Sequence, residues 1–276
     1  MTRKLFCELN PICYKISVIK ERTKRNINNY FNKNLLATTR SEIILPNIVK
    51  GHTSIILRKL YNVDMELQIN KKTNLKLAAK KINKLIIKPG ETFSFWYLVG
   101  KTSKKYGYKE GLVISKKGLT KDFGGGLCQL ANMIHYLVLN SPLEVTELHH
   151  HSDALFPDDR RRVPFGTGTS VFYNYLDYRF KNNTTQNVQL LLWIEDDILY
   201  GELRSEYEFP YRYKLIEENH HFKKEKDGKF YRISQVYKIT INKSTKETIK
   251  KELILNNHSE VLYDYTKIPS SEIRDD

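Results

Sequence analysis

The stretch Phe123–Leu139 reads FGGGLCQLANMIHYLVL. Three consecutive glycines and a leucine lead into Cys128, and an apolar run follows. Leu127, Leu130, Ala131, Ile134, Leu137 and Val138 recur at helical spacing. The spacing predicts a helix from Leu127, with the cysteine in its first turn, that ends at Asn140-Ser141-Pro142. A glycine loop that enters a helix at a thiol is either a tight packing turn or a device for presenting a thiolate.

Upstream, LKLAAKKINKLII (75–87) is apolar at helical spacing with lysines on its other side. It predicts a second helix, with Asn74 as N-cap and Pro89-Gly90 as its stop. ETFSFWYLVG (91–100) is aromatic and β-rich, KTSKKYGYKEG is a loop, LVIS (112–115) is a short strand, and KKGLTKDFGGG is a second loop. Downstream, LEVTELHHHS alternates like a strand. GTSVFYNYLDYRFKNNT predicts one long strand or a pair. VQLLLWI–EDD–ILYGELR and YRISQVYKITINKSTKETIKKELIL each predict a hairpin. The class is therefore α+β: a mixed core with a Gly-rich loop leading into a helix, then antiparallel hairpins. Three units are expected: a partly helical N-terminal segment 1–73, a core domain 74–184 and a β-rich segment 185–276.

The 276 residues suffice for a real core. Net charge is +15, from 46 basic and 31 acidic residues. Such a surface attracts polyanions, among them anionic surfaces and phosphate-bearing molecules. No recognition motif accompanies the charge, so nucleic acid is not an expected partner. Cys7, Cys13 and Cys128 are an odd set in a long chain, which does not suit a disulfide framework. At the N-terminus, Glu8, Asn10, Pro11 and Lys15 interrupt any apolar signal region. No run of about 18 apolar residues occurs, so no membrane span is expected. The expected location is the cytoplasm.

At the start of a helix, Cys128 would feel the partial positive charge that lowers a thiol's pKa. Gly124, Gly125 and Gly126 would allow close backbone approach to a substrate, and amides of the 126–129 turn would hold an oxyanion. Gln129 adds a donor or only fills the first turn. A thiolate needs a base and an orienting group. His149, His150 and His151 offer the base, and Asp153, Asp177 or Glu147 the carboxylate. A cysteine in a small-residue loop is more often a packing residue, so spacing alone leaves both readings open. Zinc held by Cys128 and two histidines is a third reading, without an evident fourth ligand; no metal or other cofactor is expected. Arg160-Arg161-Arg162 reads as a solvated turn, or as a clamp for a carboxylate or phosphate.

PGETFSFW (89–96), KEGLVI (109–114), GGGLCQL (124–130) and LDYRFKN (176–182) occur in this order at these separations. Together they resemble the VanW family over roughly residues 70–185. The family takes its name from an accessory protein of vancomycin-resistance clusters. In some larger, exported members the domain is a peptidoglycan L,D-transpeptidase with the motif cysteine as nucleophile. The resemblance places that cysteine on Cys128, the family histidine on His151 with His149 also matching, and the LDxRF acid on Asp177. It implies a peptidoglycan peptide or cell-wall precursor as partner. One departure stands out: many relatives carry an Asp in G-x-D-A-T-V, where this chain has GTGTSV and Gly168. An exported activity would need an export signal, and none is expected from the interrupted N-terminus. Two expectations result: a cysteine acyl transferase, or a non-catalytic accessory that binds wall precursors.

Overall fold

A computed structural model describes residues 5–57, 64–115, 118–150, 153–154, 157, 163–164 and 166–274. The chain opens with the short helix α1 (Phe6–Leu9) and the long α2 (Pro11–Phe31). Asn10 caps α2 by accepting from the Ile12 and Cys13 amides, and Pro11 occupies the first turn, where its missing N–H costs nothing. Strand β1 (Asn47–Ile55) and helix α3 (Met65–Ile82) follow. Next come β2 (Leu85–Ile87), β3 (Thr92–Ser94), the single turn α4 (Phe95–Val99), β4 (Glu110–Ser115) and β5 (Gly118–Phe123). Helix α5 (Cys128–Leu139) leads to β6 (Glu144–Glu147), β7 (Asp153–Ala154), β8 (Arg179–Lys181), β9 (Val188–Glu195) and β10 (Ile198–Ser205). The long strands β11 (Tyr211–Lys224), β12 (Phe230–Asn242) and β13 (Thr248–Val261) complete it. The class is α+β, as the periodicities predict.

The main sheet has the order β1-β10-β9-β2. Helices α3 and α5 pack against it. Val188, Leu190 and Leu192 of β9, with Leu199 and Leu203 of β10, meet Leu75, Ala78, Ile82, Leu130, Ile134 and Leu137 from the helices in one buried cluster. Each such leucine or isoleucine contributes roughly 1.5–3 kcal/mol by leaving water. A three-stranded sheet β3-β8-β6 closes one end, with Phe93 stacked on Phe180 at 4.7 Å. Strands β11-β12-β13-β7 form a separate sheet over a small cluster of Ala154, Phe222, Val261 and Ile268.

Both predicted hairpins form. The first turns on Asp196-Asp197, both at positive φ (43° and 62°), and the β9–β10 pair joins the same sheet as β1 and β2. Several local expectations are corrected. The second helix begins at Met65, not at residue 75, and its cap is Asp64, which accepts from the Glu66 amide. Leu85 and Ile86 belong to β2, because pairing with β9 outcompetes a last helical turn. Residues 118–123, expected as loop, form β5 against β4. Residues 95–99, expected as β, turn helical because Ser94 caps the Tyr97 amide. The stretch before Arg179 is a set of turns rather than a long strand.

Candidate thiol site at the glycine loop

Cys128 is the first residue of α5, and so lies in the first turn of the helix as the sequence predicts. The structure supplies a packing reason for the glycines before it. A Cβ on Gly125 would sit 2.1 Å from the carbonyl carbon of Gly111, and one on Gly126, at φ 90°, would sit 2.2 Å from Lys71 Cγ. Only glycine permits that approach. Asn74 completes the clamp. It lies mid-helix in α3, fully buried, and donates from Nδ2 to the Lys109 and Gly125 carbonyls at 3.0 Å each. Its Oδ1 accepts the Lys109 amide at 2.8 Å. The side chain expected as an N-cap is instead a brace for the loop.

The thiol is enclosed on one side. Cys128 Sγ lies 4.0 Å from the Val171 carbonyl. Burial pushes the thiol up, against a smaller pull downward from the Val171 and Cys128 backbone. Nearby amides are partly spent. Gln129 N–H donates to the Gly126 carbonyl at 3.1 Å. The Gln129 side chain donates to Ser54 Oγ at 2.8 Å and to the Ile55 carbonyl at 2.9 Å, which ties α5 to the end of β1.

Asp177 is fully buried, and its oxygens are committed. Oδ2 accepts from Ser94 Oγ at 2.6 Å and from Arg179 Nε at 2.8 Å. Oδ1 accepts from the Trp96 and Tyr178 amides at 2.9 and 3.0 Å. It joins α4 to β8. The imidazole partner is Glu147: His149 Nε2 and Glu147 Oε1 are 3.0 Å apart. Arg25, on α2, grips the same carboxylate through both terminal nitrogens at 2.6 Å each, and the Asp177 amide donates to it at 3.0 Å. Burial alone would raise the Glu147 carboxyl, but hydrogen bonds from His149 and Arg25 outweigh it and hold it at about 2. Asp177 thus reaches the imidazole only through its backbone and Glu147.

The His149 carbonyl accepts the Ser170 amide at 2.6 Å. Ser170 precedes the Val171 whose carbonyl faces the thiol. The histidine segment and the cysteine helix therefore flank one strip of chain. His150 Nδ1 is 3.2 Å from the Gly166 carbonyl. At the position of the family Asp the chain has Gly168, and Asn132 of α5 accepts the next amide, Thr169, at 2.6 Å. His135, inside α5, is buried with Nδ1 3.1 Å from Tyr178 Oη. Its burial, with the nearby His150 and Lys238, lowers it to about 3. His151, the acceptor of choice from the family pattern, and Arg160–Arg162 lie outside the described residues, and so does the contact any of them makes.

Among the described residues, no three His, Cys, Asp or Glu side chains are grouped to hold a metal ion. No helix among them is long and apolar enough to cross a membrane. A cavity of about 470 Å³ lies elsewhere, between β11, β12 and the C-terminal turns, with Glu217, His220 and Arg232 in its wall. Sequence reading gave no sign of Arg25 or Ser170 as parts of the site. Nothing local marks a residue whose partner is 122 positions away.

The profile described as "VanW like protein" matches residues 70–204. The chain is 30% identical over 227 residues to the vancomycin B-type resistance protein VanW of Enterococcus faecalis (strain ATCC 700802 / V583), covering 82% of each chain. It is 31% identical over 115 residues to the uncharacterized protein YoaR of Bacillus subtilis (strain 168), covering 42% of this chain and 36% of that one. No solved structure matches it significantly. With identity spread over most of both chains, and with the GGGLCQ loop braced inside the matched region, the chain belongs to the VanW family.

Proposed function

We propose that this protein acts on the peptide of peptidoglycan or its precursors, as a cysteine acyl transferase in a vancomycin-resistance setting like that in the name of its enterococcal relative. The supporting observation is the placement of His149, held by Glu147, beside the strip of chain whose Val171 carbonyl faces Cys128 Sγ. Cys128 Sγ attacks an amide carbonyl of the peptide. Its proton passes to the imidazole of His149 or His151. The C–N bond breaks, the imidazolium returns the proton to the leaving amine, and a thioester remains. An acceptor amine or water then attacks the thioester and regenerates the thiol. Glu147, fixed by Arg25, orients the imidazole and offsets its charge. The amide at Cys128 is the oxyanion donor we assign to the 126–129 turn. The setting we favour is the cytoplasm, where soluble and lipid-linked precursors offer the peptide.

A raised thiol and glycines already used in packing favour a second reading: an accessory that binds wall precursors without covalent chemistry. One experiment separates the two. The full chain is incubated with stem-peptide muropeptides, and its intact mass is followed. An acyl adduct that is absent in Cys128→Ser supports the transferase. Binding by calorimetry with no adduct, and equal affinity in Cys128→Ala, supports the accessory.

A further inference from the structure

We propose that the outward face of α2 is a docking surface for an anionic lipid bilayer. The helix has two faces of opposite character. Its inner face is fixed to the body of the protein. Arg22 Nε donates to the Tyr173 carbonyl at 2.9 Å, Arg25 holds Glu147, Asn174 donates to Asn26 at 2.6 Å, and Arg179 donates to Asn29 at 2.6 Å.

The other face carries Ile12, Ile16, Ile19, Ile27 and Tyr30, exposed to 69%, 50%, 62%, 54% and 69%. At 3.6 residues per turn these five fall within an arc of about 80°. They form an apolar stripe along the helix, interrupted at Thr23 and set about 110° round from the side fixed to the body. Leu5, Phe6 and Leu9 just before it are also open to solvent. Exposed Lys15 lies on one side of the stripe, and exposed Lys20 and Lys24 lie on the other. Glu21 is the one acidic residue of the helix. An apolar stripe rimmed by lysines suits the boundary between headgroups and acyl chains, with the lysine stems reaching up to phosphates.

Charge chooses the occupant. A second copy of the chain carries the same +15 and is repelled, whereas an anionic leaflet attracts it. Docked in this way, α2 would lie along the headgroups beside Tyr173, Asn174 and Glu147, its partners in the body of the protein. This goes beyond the acyl-transfer reading and does not depend on it.

The test is co-sedimentation of the full chain with vesicles of phosphatidylcholine alone and with about a third phosphatidylglycerol. Binding to the anionic vesicles, weak binding to the neutral ones and loss of binding at high salt are expected. The double variant Ile16→Asp, Ile19→Asp should lower partitioning about tenfold or more. Both positions are exposed, so its melting temperature should stay near that of the parent. Lys15→Gln, Lys20→Gln, Lys24→Gln should weaken binding to the anionic vesicles selectively. The proposal is overturned if the parent does not bind, or if the isoleucine variant binds as well as the parent. It is also overturned if sedimentation reveals a dimer that the isoleucine variant abolishes, since the stripe would then seat a second copy.

Discussion

Asn74 Nδ2 donates to the Gly125 carbonyl at 3.0 Å, across 51 residues of sequence. The same side chain bonds both the amide and the carbonyl of Lys109. One buried amide thus fixes the loop that delivers Cys128 and the entry to β4. While the Lys109 carbonyl keeps the Gly124 amide, Asn74→Ala leaves the buried Gly125 carbonyl and the Lys109 amide without their partner. It should destabilise the protein by about 2–4 kcal/mol in urea unfolding. An effect under about half a kcal/mol would mean that the loop is held by something else. Gly125→Ala should be at least as severe, because its Cβ would occupy the place of the Gly111 carbonyl carbon.

Asp177 is the buried anion that joins α4 to β8. Asp177→Asn keeps the shape but removes the charge opposite Arg179, whose side chain is itself nearly buried. A loss on the order of 3 kcal/mol is expected, since the guanidinium then lacks its nearest carboxylate. Lys243→Gln, which breaks an exposed pair with Glu208, is the comparison and should change stability by less than about 1 kcal/mol. Equal melting temperatures for the two variants would contradict the assignment.

The acid side of the stability curve belongs largely to His135. Its folded value of about 3 lies below the ordinary imidazole value of 6.5, so protons favour the unfolded chain. The stability tied to neutral His135 is complete above 6.5 and is lost as pH falls toward 3. Glu147, held at about 2, adds in the same direction below the ordinary carboxylate value. Urea unfolding at pH 7 and pH 4 should differ by about 3 kcal/mol. His135→Phe should flatten that slope although it removes the partner of Tyr178. A slope unchanged in the variant would assign the acid sensitivity elsewhere.

The free thiol should be a poor nucleophile until a substrate arrives. In a Cys7→Ser, Cys13→Ser background, the alkylation rate of Cys128 should still be rising above pH ~8.5, the ordinary thiol value. A rate already maximal at pH 7 would show a stored thiolate. It would mean that contacts beyond the described residues, such as one from His151, outweigh burial.

The β9–β10 turn holds a local conflict that can be relieved. Asp196 sits at φ 43°, a region that costs an ordinary residue free energy. Asp196→Gly should stabilise the protein by about 0.5–1 kcal/mol, measured as a rise in melting temperature. Asp197 is left alone, because it also pairs with Lys72. A fall in melting temperature would mean that the Asp196 side chain makes a contact worth more than the strain.

Short-range signals told much of this architecture. The helix at Cys128, its end at Asn140, the two hairpins and the α+β class follow from periodicity and turn chemistry, which act over a few residues. Where a segment had to choose between two local options, tertiary partners chose. Leu85 and Ile86 extend the apolar pattern of α3, yet they pair with Leu190 and Gln189 of β9. Residues 118–123 look like a loop, yet they lie antiparallel to β4.

The candidate site divides in the same way. By itself the sequence determined the GGGLCQ entry to a helix, the nearby histidines, the set of carboxylates from which an imidazole partner would come, and the family. Only the tertiary structure decided that Glu147 faces His149, that Asp177 serves Arg179, Ser94 and Trp96, and that the glycines admit Gly111 and Lys71. Some of these contacts join near neighbours, as Glu147 with His149 and Asp177 with Arg179, and others join positions up to 83 residues apart, as Asp177 with Ser94; all are made by groups whose local preferences do not differ. A carboxylate reads the same in sequence whether it will orient an imidazole or anchor a strand. Its role is set by which donors the packed core leaves within hydrogen-bond reach, and that is known only after the chain has folded.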